Sequence, residues 1–175
     1  PDASSYNTVL NACARAGRAE AAERWLQQMR AAALRPCATS FNSVANAYAR
    51  AGRIEEALAA VREMVATGVE RTVVTYNCLI NACAKGAQAG AAATCLGMMS
   101  SSALQPDVVS YGSVVDAFAR ASDAEGALRW LSAMEAAGVE PSVAPYSAVA
   151  RCLAAQGRVE EASRCLDRMK SRQLR

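Results

Sequence analysis

Ser40-Phe-Asn-Ser-Val-Ala-Asn-Ala-Tyr-Ala-Arg-Ala-Gly-Arg-Ile-Glu-Glu-Ala-Leu-Ala-Ala-Val-Arg-Glu-Met-Val65 contains two helical patterns separated by a turn. Phe41, Val44, Ala45, Tyr48 and Ala49 follow one another at helical spacing, with Ser40 placed as the cap of that first helix. Ala51-Gly52-Arg53 then offers a residue that accepts left-handed geometry. Beyond it, Ile54, Ala57, Leu58, Val61, Met64 and Val65 restart the 3.6-residue period as a second helix, which Gly68 ends.

The same pattern recurs along the chain. Met29, Met64, Met99, Met134 and Met169 stand 35 residues apart, and such a fixed period marks a repeat protein. Tyr6, Phe41, Tyr76, Tyr111 and Tyr146 keep the step, as do Ala22, Ala57, Ala92, Ala127 and Ala162, and Leu26, Val61, Leu96, Leu131 and Leu166. Small residues at Ala12, Ala47, Ala82 and Ala117 let helix axes approach, and these columns predict the core. Pro36, Pro106 and Pro141 stop the helix near three repeat boundaries, with Arg71 in the corresponding place of another. Two short helices cannot bury an apolar face alone, so the fold expected is all-α: an α-solenoid, or superhelix, of tandem helix-turn-helix repeats. The array covers 1–175 as units 3–37, 38–72, 73–107, 108–142 and an incomplete 143–175. Pro1-Asp2 matches Pro106-Asp107 and the chain stops at Leu174-Arg175, which predicts a piece of a longer array.

Some positions depart from the pattern. Ala87 and Ser122 stand where Gly17, Gly52 and Gly157 are expected. Gly90, Gly97 and Gly126 fall inside second helices, where each should cost up to about 1 kcal/mol and soften the middle. Pro145 replaces the capping Ser or Thr and is tolerated because a first helical turn has no amide partners to lose.

Composition excludes several classes. With 53% apolar and 20% charged residues the chain is a folded protein, and no stretch approaches the roughly 18 uninterrupted apolar residues of a membrane span. Cys13, Cys37, Cys78, Cys83, Cys95, Cys152 and Cys165 form no C-x-x-C pair and the chain has no His, so no metal site is expected, and the cysteines read as reduced core residues. No phosphate-cradling Gly loop or carboxylate cluster supports catalysis, so no catalytic residue, cofactor or small-molecule substrate is expected. Glu55-Glu56 and Glu160-Glu161 open second helices, where negative charge suits the dipole. Trp25 and Trp130 lie on second helices, away from the expected groove, and read as packing residues or solvent-edge contacts. A net charge of +3 is too small to argue for nucleic acid by itself, because the positions of the charges decide.

Val73-Val-Thr-Tyr-Asn-Cys-Leu-Ile80, Ala51-Gly-Arg-Ile-Glu-Glu-Ala57 and Leu104-Gln-Pro-Asp107 closely resemble the pentatricopeptide repeat family, and the likeness recurs through nearly the whole chain. The tetratricopeptide opening W-x-x-L-G-x-x-Y is missing. The resemblance implies single-stranded RNA bound one nucleotide per repeat along first helices. It also implies a mitochondrion or plastid as location, with any chemistry left to a separate catalytic domain or protein partner.

By the family's rule, the residue after the aromatic reads a base together with the last residue of the repeat. This assigns Asn7 with Cys37, Asn42 with Thr72, Asn77 with Asp107 and Gly112 with Ser142, while Ser147 is left without its partner. An Asn with an Asp favours uracil in the family. Asn7 and Asn42 suggest pyrimidines, Gly112 leaves its base unassigned, and Ser147 leans to purine. The alternative for the three Asn residues is service at the helix start, a role Ser5, Ser40 and Thr75 already fill. Ser4, Thr39, Val74, Val109 and Ala144 match the residues that sandwich the base, or are ordinary helix-entry residues. Arg15, Arg50, Lys85 and Arg120 match backbone-phosphate contacts and would line one face on stacking, with Ala155 breaking the series. The same four cations also suit the negative end of a helix dipole. A protein-binding scaffold of tetratricopeptide type and the repeat part of an enzyme are the competing readings, and weak salt dependence would mark the scaffold.

Overall fold

The structure, a computed structural model, describes residues 1–172. Leu174-Arg175, where the fifth repeat was expected to stop incomplete, lie outside the described residues. The chain is all-helical in tandem hairpins: α1 (Ala3–Arg15), α2 (Ala19–Ala31), α3 (Ala38–Arg50), α4 (Ile54–Ala66), α5 (Val73–Lys85), α6 (Ala89–Ser101), α7 (Val108–Arg120), α8 (Ala124–Ala136), α9 (Val143–Ala155) and α10 (Val159–Ser171). It divides into two compact units, Pro1–Cys83 and Ala84–Arg175. In the first, α3 packs on α1, α2 and α4; in the second, α7 packs on α6, α8 and α9, and α9 on α8 and α10. In each unit, then, odd-numbered helices lie directly against one another.

The turn inside each hairpin follows from its left-handed residue. Gly52 has φ 79°, which allows Gly52 N–H to donate to Ala49 O at 3.1 Å and Arg53 N–H to Tyr48 O at 3.0 Å, closing the last turn of α3. Ala87 and Ser122 hold the same geometry at φ 53° and 59°, a conformation that costs a side-chain-bearing residue about 1 kcal/mol.

First helices begin three residues earlier than the sequence suggested. Ser40 is not the cap of α3 but its third residue; the cap is Cys37, whose N–H donates to Ser40 Oγ at 3.1 Å. Thr72 N–H donates likewise to Thr75 Oγ1 at 3.2 Å, and Asp107 N–H to Ser110 Oγ at 3.1 Å. Asp107 completes a reciprocal box by accepting from Ser110 N–H at 2.8 Å. The Ser or Thr before the aromatic thus serves the helix start from inside the helix, and the last residue of the preceding repeat stands at the cap. Pro145, third in α9, still falls within the first turn.

The recurrent columns form most of the core. Phe41, Tyr76 and Tyr146 are buried, as are Met29, Met64, Met99 and Met134. Two columns meet directly: Ser40 Oγ lies 3.7 Å from Met29 Sδ and Ser110 Oγ 3.6 Å from Met99 Sδ. Ala47, Ala82 and Ala117 are buried as expected, whereas Ala12 is exposed. Val65, expected in the core, is also exposed. Cys83, Cys95, Cys152 and Cys165 are buried, but Cys37 is exposed because a cap position lies outside the packed face. Trp25 packs edge-on against Tyr6 with ring centroids 6.0 Å apart, and Trp130 lies 6.4 Å from Tyr111 and 6.3 Å from Phe118. Each Trp therefore joins the two helices of its own hairpin.

Ion pairs link successive second helices. Arg53, at the cap of α4, pairs with Glu56 (2.8 Å) in its own first turn and with Glu20 on α2. In the second unit Arg158 pairs with Glu161 (2.6 Å) and with Glu125 on α8 (2.7 Å). Such exposed pairs contribute about 0 to 1 kcal/mol each. Glu56 and Glu161, read from sequence as dipole partners, thus also hold the arginine that precedes their helix.

Candidate nucleic-acid interface

Because the cap of each odd helix from α3 onward is the last residue of the preceding repeat, the fold can bring that residue close to the fifth residue of the odd helix before it. In the first unit it does so for Asn7 and Cys37. Asn7 Nδ2 donates to Cys37 Sγ at 3.6 Å, and Asn7 Oδ1 accepts from Ser40 Oγ at 2.7 Å. The amide reaches across to α3 rather than capping its own helix, which Asp2 caps by accepting from Ser5 N–H at 2.8 Å.

The other assigned pairs are arranged differently. Asn42 and Thr72 are not hydrogen-bonded to each other: Asn42 Oδ1 is buried without a partner, while Thr72 Oγ1 lies 3.4 Å from Thr75 Oγ1. Asn77 is half-buried on α5 in the first unit, and Asp107 caps α7 in the second. Gly112 offers no side chain, and a Cβ there would meet Pro145 Cγ at 3.5 Å. Ser142, the cap of α9, makes no side-chain capping bond, and Ser147 is half-buried on the same helix.

Cys37 has an unusual environment. Desolvation raises its pKa, but hydrogen bonds from the Ser40 amide and hydroxyl, the Thr39 amide and Asn7 outweigh it and bring the thiol from the ordinary 9.0 down to about 7. Burial pushes Cys78, Cys152 and Cys165 the other way. Brief iodoacetamide treatment near pH 7.5 is therefore expected to label Cys37 ahead of these three, with a rate midpoint near pH 7, as peptide mass spectrometry would record. Its folded pKa lies below the unfolded one, so its stabilising contribution is complete above pH 9 and is lost as pH falls through 7. Earlier labelling of Cys78 would contradict the environment described.

Ser4, Thr39, Val74, Val109 and Ala144 are the second residues of their helices and all are exposed. Val74 and Val109 are 61% and 53% exposed. Arg15, Arg50, Lys85 and Arg120 are exposed and each is the last residue of its helix. Arg120 is not unpaired: its Nε lies 2.6 Å from Asp116 Oδ2, one turn earlier on α7. Asp116 also lies 3.8 Å from Arg151 Nη2 on α9.

Sequence reasoning missed this last column. Asn11, Asn46, Asn81, Asp116 and Arg151 keep the 35-residue step, but they share polarity rather than identity. Each lies four residues before a position of the cation series, on the same helix face. No group of three or more His, Cys, Asp or Glu that could hold a metal occurs among the described residues, and none of their helices is long and apolar enough to cross a membrane.

Comparison with known proteins bears on the family and the fold. Family models described as "PPR repeat family", "Pentatricopeptide repeat-containing protein" and "PPR repeat" match residues 36–85, 75–175 and 4–32. No curated protein matches the sequence. The crystal structure of the pentatricopeptide repeat protein PPR10 from maize is 29% identical with a TM-score of 0.85, covering 98% of this chain and 24% of its own. The structure of PPR10 in complex with an 18-nt psaJ RNA element is 29% identical, TM-score 0.76, over 97% of this chain and 28% of that one. This chain thus spans about a quarter of that relative. The PPR domain of Arabidopsis thaliana protein-only RNase P 1, solved in complex with tRNA, shares the fold at 16% identity and TM-score 0.71, over 96% of this chain and 89% of that one.

Proposed function

The chain belongs to the pentatricopeptide repeat family, and from that premise we propose that it binds single-stranded RNA sequence-selectively, one nucleotide per repeat, in organellar RNA processing, stability, editing or translation. The observation that carries this reading is the contact of Asn7 with Cys37 and Ser40. A base-reading site needs two polar groups held side by side where one edge of a base can meet both. Here the amide and the thiol are held together from different helices, Asn7 half-buried and Cys37 exposed. PPR10, at 29% identity, has been solved with an RNA element, which supports the same ligand class here.

Around that pair, Ser4 and Thr39 would flank the base, and Arg15 and Arg50 would meet the phosphates on either side. Asn42, Thr72, Asn77, Asp107, Gly112, Ser142 and Ser147 take the corresponding roles in later repeats, with Val74, Val109 and Ala144 as flanking residues and Lys85 and Arg120 as phosphate contacts. The protein's part is recognition, and any cleavage or editing belongs to another domain or partner.

Cys37→Asp tests the reading. Asp107 already occupies the equivalent cap, accepting from Ser110 N–H at 2.8 Å, so a carboxylate suits the position. The substitution converts the first repeat to an Asn with an Asp and is expected to raise affinity for oligo(U) relative to oligo(A), oligo(C) and oligo(G) by about 5- to 150-fold, the range of one good base contact. Fluorescence anisotropy measures this. Equal binding of all four, unchanged by the substitution, would remove base reading and leave phosphate binding. No binding at low salt would remove RNA as the ligand.

A further inference from the structure

The cation series ends at Ala155, and the structure provides a substitute. Arg151 lies one helical turn before Ala155, on the same face of α9, with its side chain 69% exposed. Its guanidinium points back toward α7, where Asp116 stands between it (3.8 Å) and Arg120 (2.6 Å). The two arginines therefore come together across the packed α7 and α9 pair, sharing one carboxylate. The three earlier repeats carry neutral Asn11, Asn46 and Asn81 at the place of Asp116, so this local charge cluster has no counterpart in them.

We propose that Arg120 and Arg151 form one two-armed phosphate site, with Asp116 as the resident counter-ion that an RNA phosphate diester displaces. The inference rests on the RNA-binding reading and deepens it. Two guanidiniums carry a combined charge that one carboxylate only half neutralises. Both keep N–H groups beyond those facing Asp116, and a phosphate offers oxygens that can accept from two arginines at once. Asp116 prevents the two like charges from repelling each other apart in the free protein. It also lowers the local positive potential until the ligand arrives, so it holds the site ready and restrains its strength. The fifth repeat then contacts the backbone one turn earlier than the others, and the break at Ala155 does not interrupt phosphate binding.

Oligo(U) binding to the full chain, followed by anisotropy between 50 and 200 mM salt, tests this with three variants. Arg151→Ala is expected to reduce the log–log salt slope by about 0.7, the value of one phosphate contact on a single strand. Arg164→Ala, which removes an exposed cation from α10, is expected to leave it unchanged. Asp116→Asn is expected to tighten binding several-fold, because a competing anion is gone. Arg151→Ala behaving like Arg164→Ala while the unmodified chain binds would overturn the two-armed site alone. Weaker binding by Asp116→Asn, with an unchanged melting temperature, would overturn the counter-ion role. Absence of binding by the unmodified chain would instead remove the reading beneath it.

Discussion

Replacing Arg15, Arg50, Lys85 and Arg120 together with Ala is expected to flatten the salt dependence of RNA binding, from a log–log slope of about −3 or steeper to about −0.7. Each phosphate contact on a single strand contributes about −0.7, so four account for nearly the whole slope and the remainder belongs to Arg151. Affinity of the unmodified chain should fall about 50- to 100-fold between 50 and 200 mM salt, and that of the variant only about threefold. The four residues also end their helices, where each cation can contribute about 0.3 to 1 kcal/mol through the dipole. Thermal unfolding of the same variant separates the two roles. A lower melting temperature with an unchanged salt slope would assign the cations to helix ends; a collapsed slope assigns them to phosphate.

The second large effect concerns two glycines that look alike in sequence. Gly97 and Gly126 both lie inside second helices. A Cβ at Gly97 would meet nothing within 4 Å, so Gly97→Ala is expected to stabilise the fold by up to about 1 kcal/mol through helix propensity. A Cβ at Gly126 would stand 2.2 Å from Phe118 Cδ1 and 2.5 Å from Asp123 Oδ2. Asp123 is held there because it caps α8, accepting from Gly126 N–H at 2.8 Å, and Phe118 packs against Trp130. Neither side chain can move without losing its own contact, so Gly126→Ala is expected to cost about 1 to 3 kcal/mol as an overpacked site. Denaturant unfolding of the two single variants would show opposite shifts in midpoint, and a stabilised Gly126→Ala would mean that Phe118 relaxes freely.

These glycines mark a boundary of what sequence can convey. Repeat length, helix pairing and most of the core were legible because they depend on apolar residues recurring at fixed spacing. The place of Trp25 and Trp130 on second helices left packing and a solvent-edge contact both open, and the ring contacts to Tyr6, Tyr111 and Phe118 decided for packing. Gly126 could not be told from Gly97, because the difference lies in a Phe eight residues earlier whose direction depends on the folded hairpin. Helix starts were misplaced by three residues since Ser40 resembles a cap, whereas Cys37, a residue seldom favoured there, occupies it. The family's rule, not spacing, assigned Asn7 and Cys37 to one base; their contact with each other appears only in the fold. Asp116 and Arg151 escaped notice because their column changes charge from repeat to repeat, and only the pairing of α7 with α9 makes the two a cluster.

The arginine that opens α4 and the one that opens α10 make the same pair of contacts, one inside their own hairpin and one to the hairpin before it. They act as matching plugs, with Glu20 and Glu125 as matching sockets. At this joint the second and fifth repeats are equivalent: each finds an acid in place on the repeat before it. The third and fourth repeats carry Gln88 and Asp123 at the plug position, so neither supplies an arginine there. A reordering of this array that keeps these joints keeps the same small electrostatic link between neighbouring hairpins.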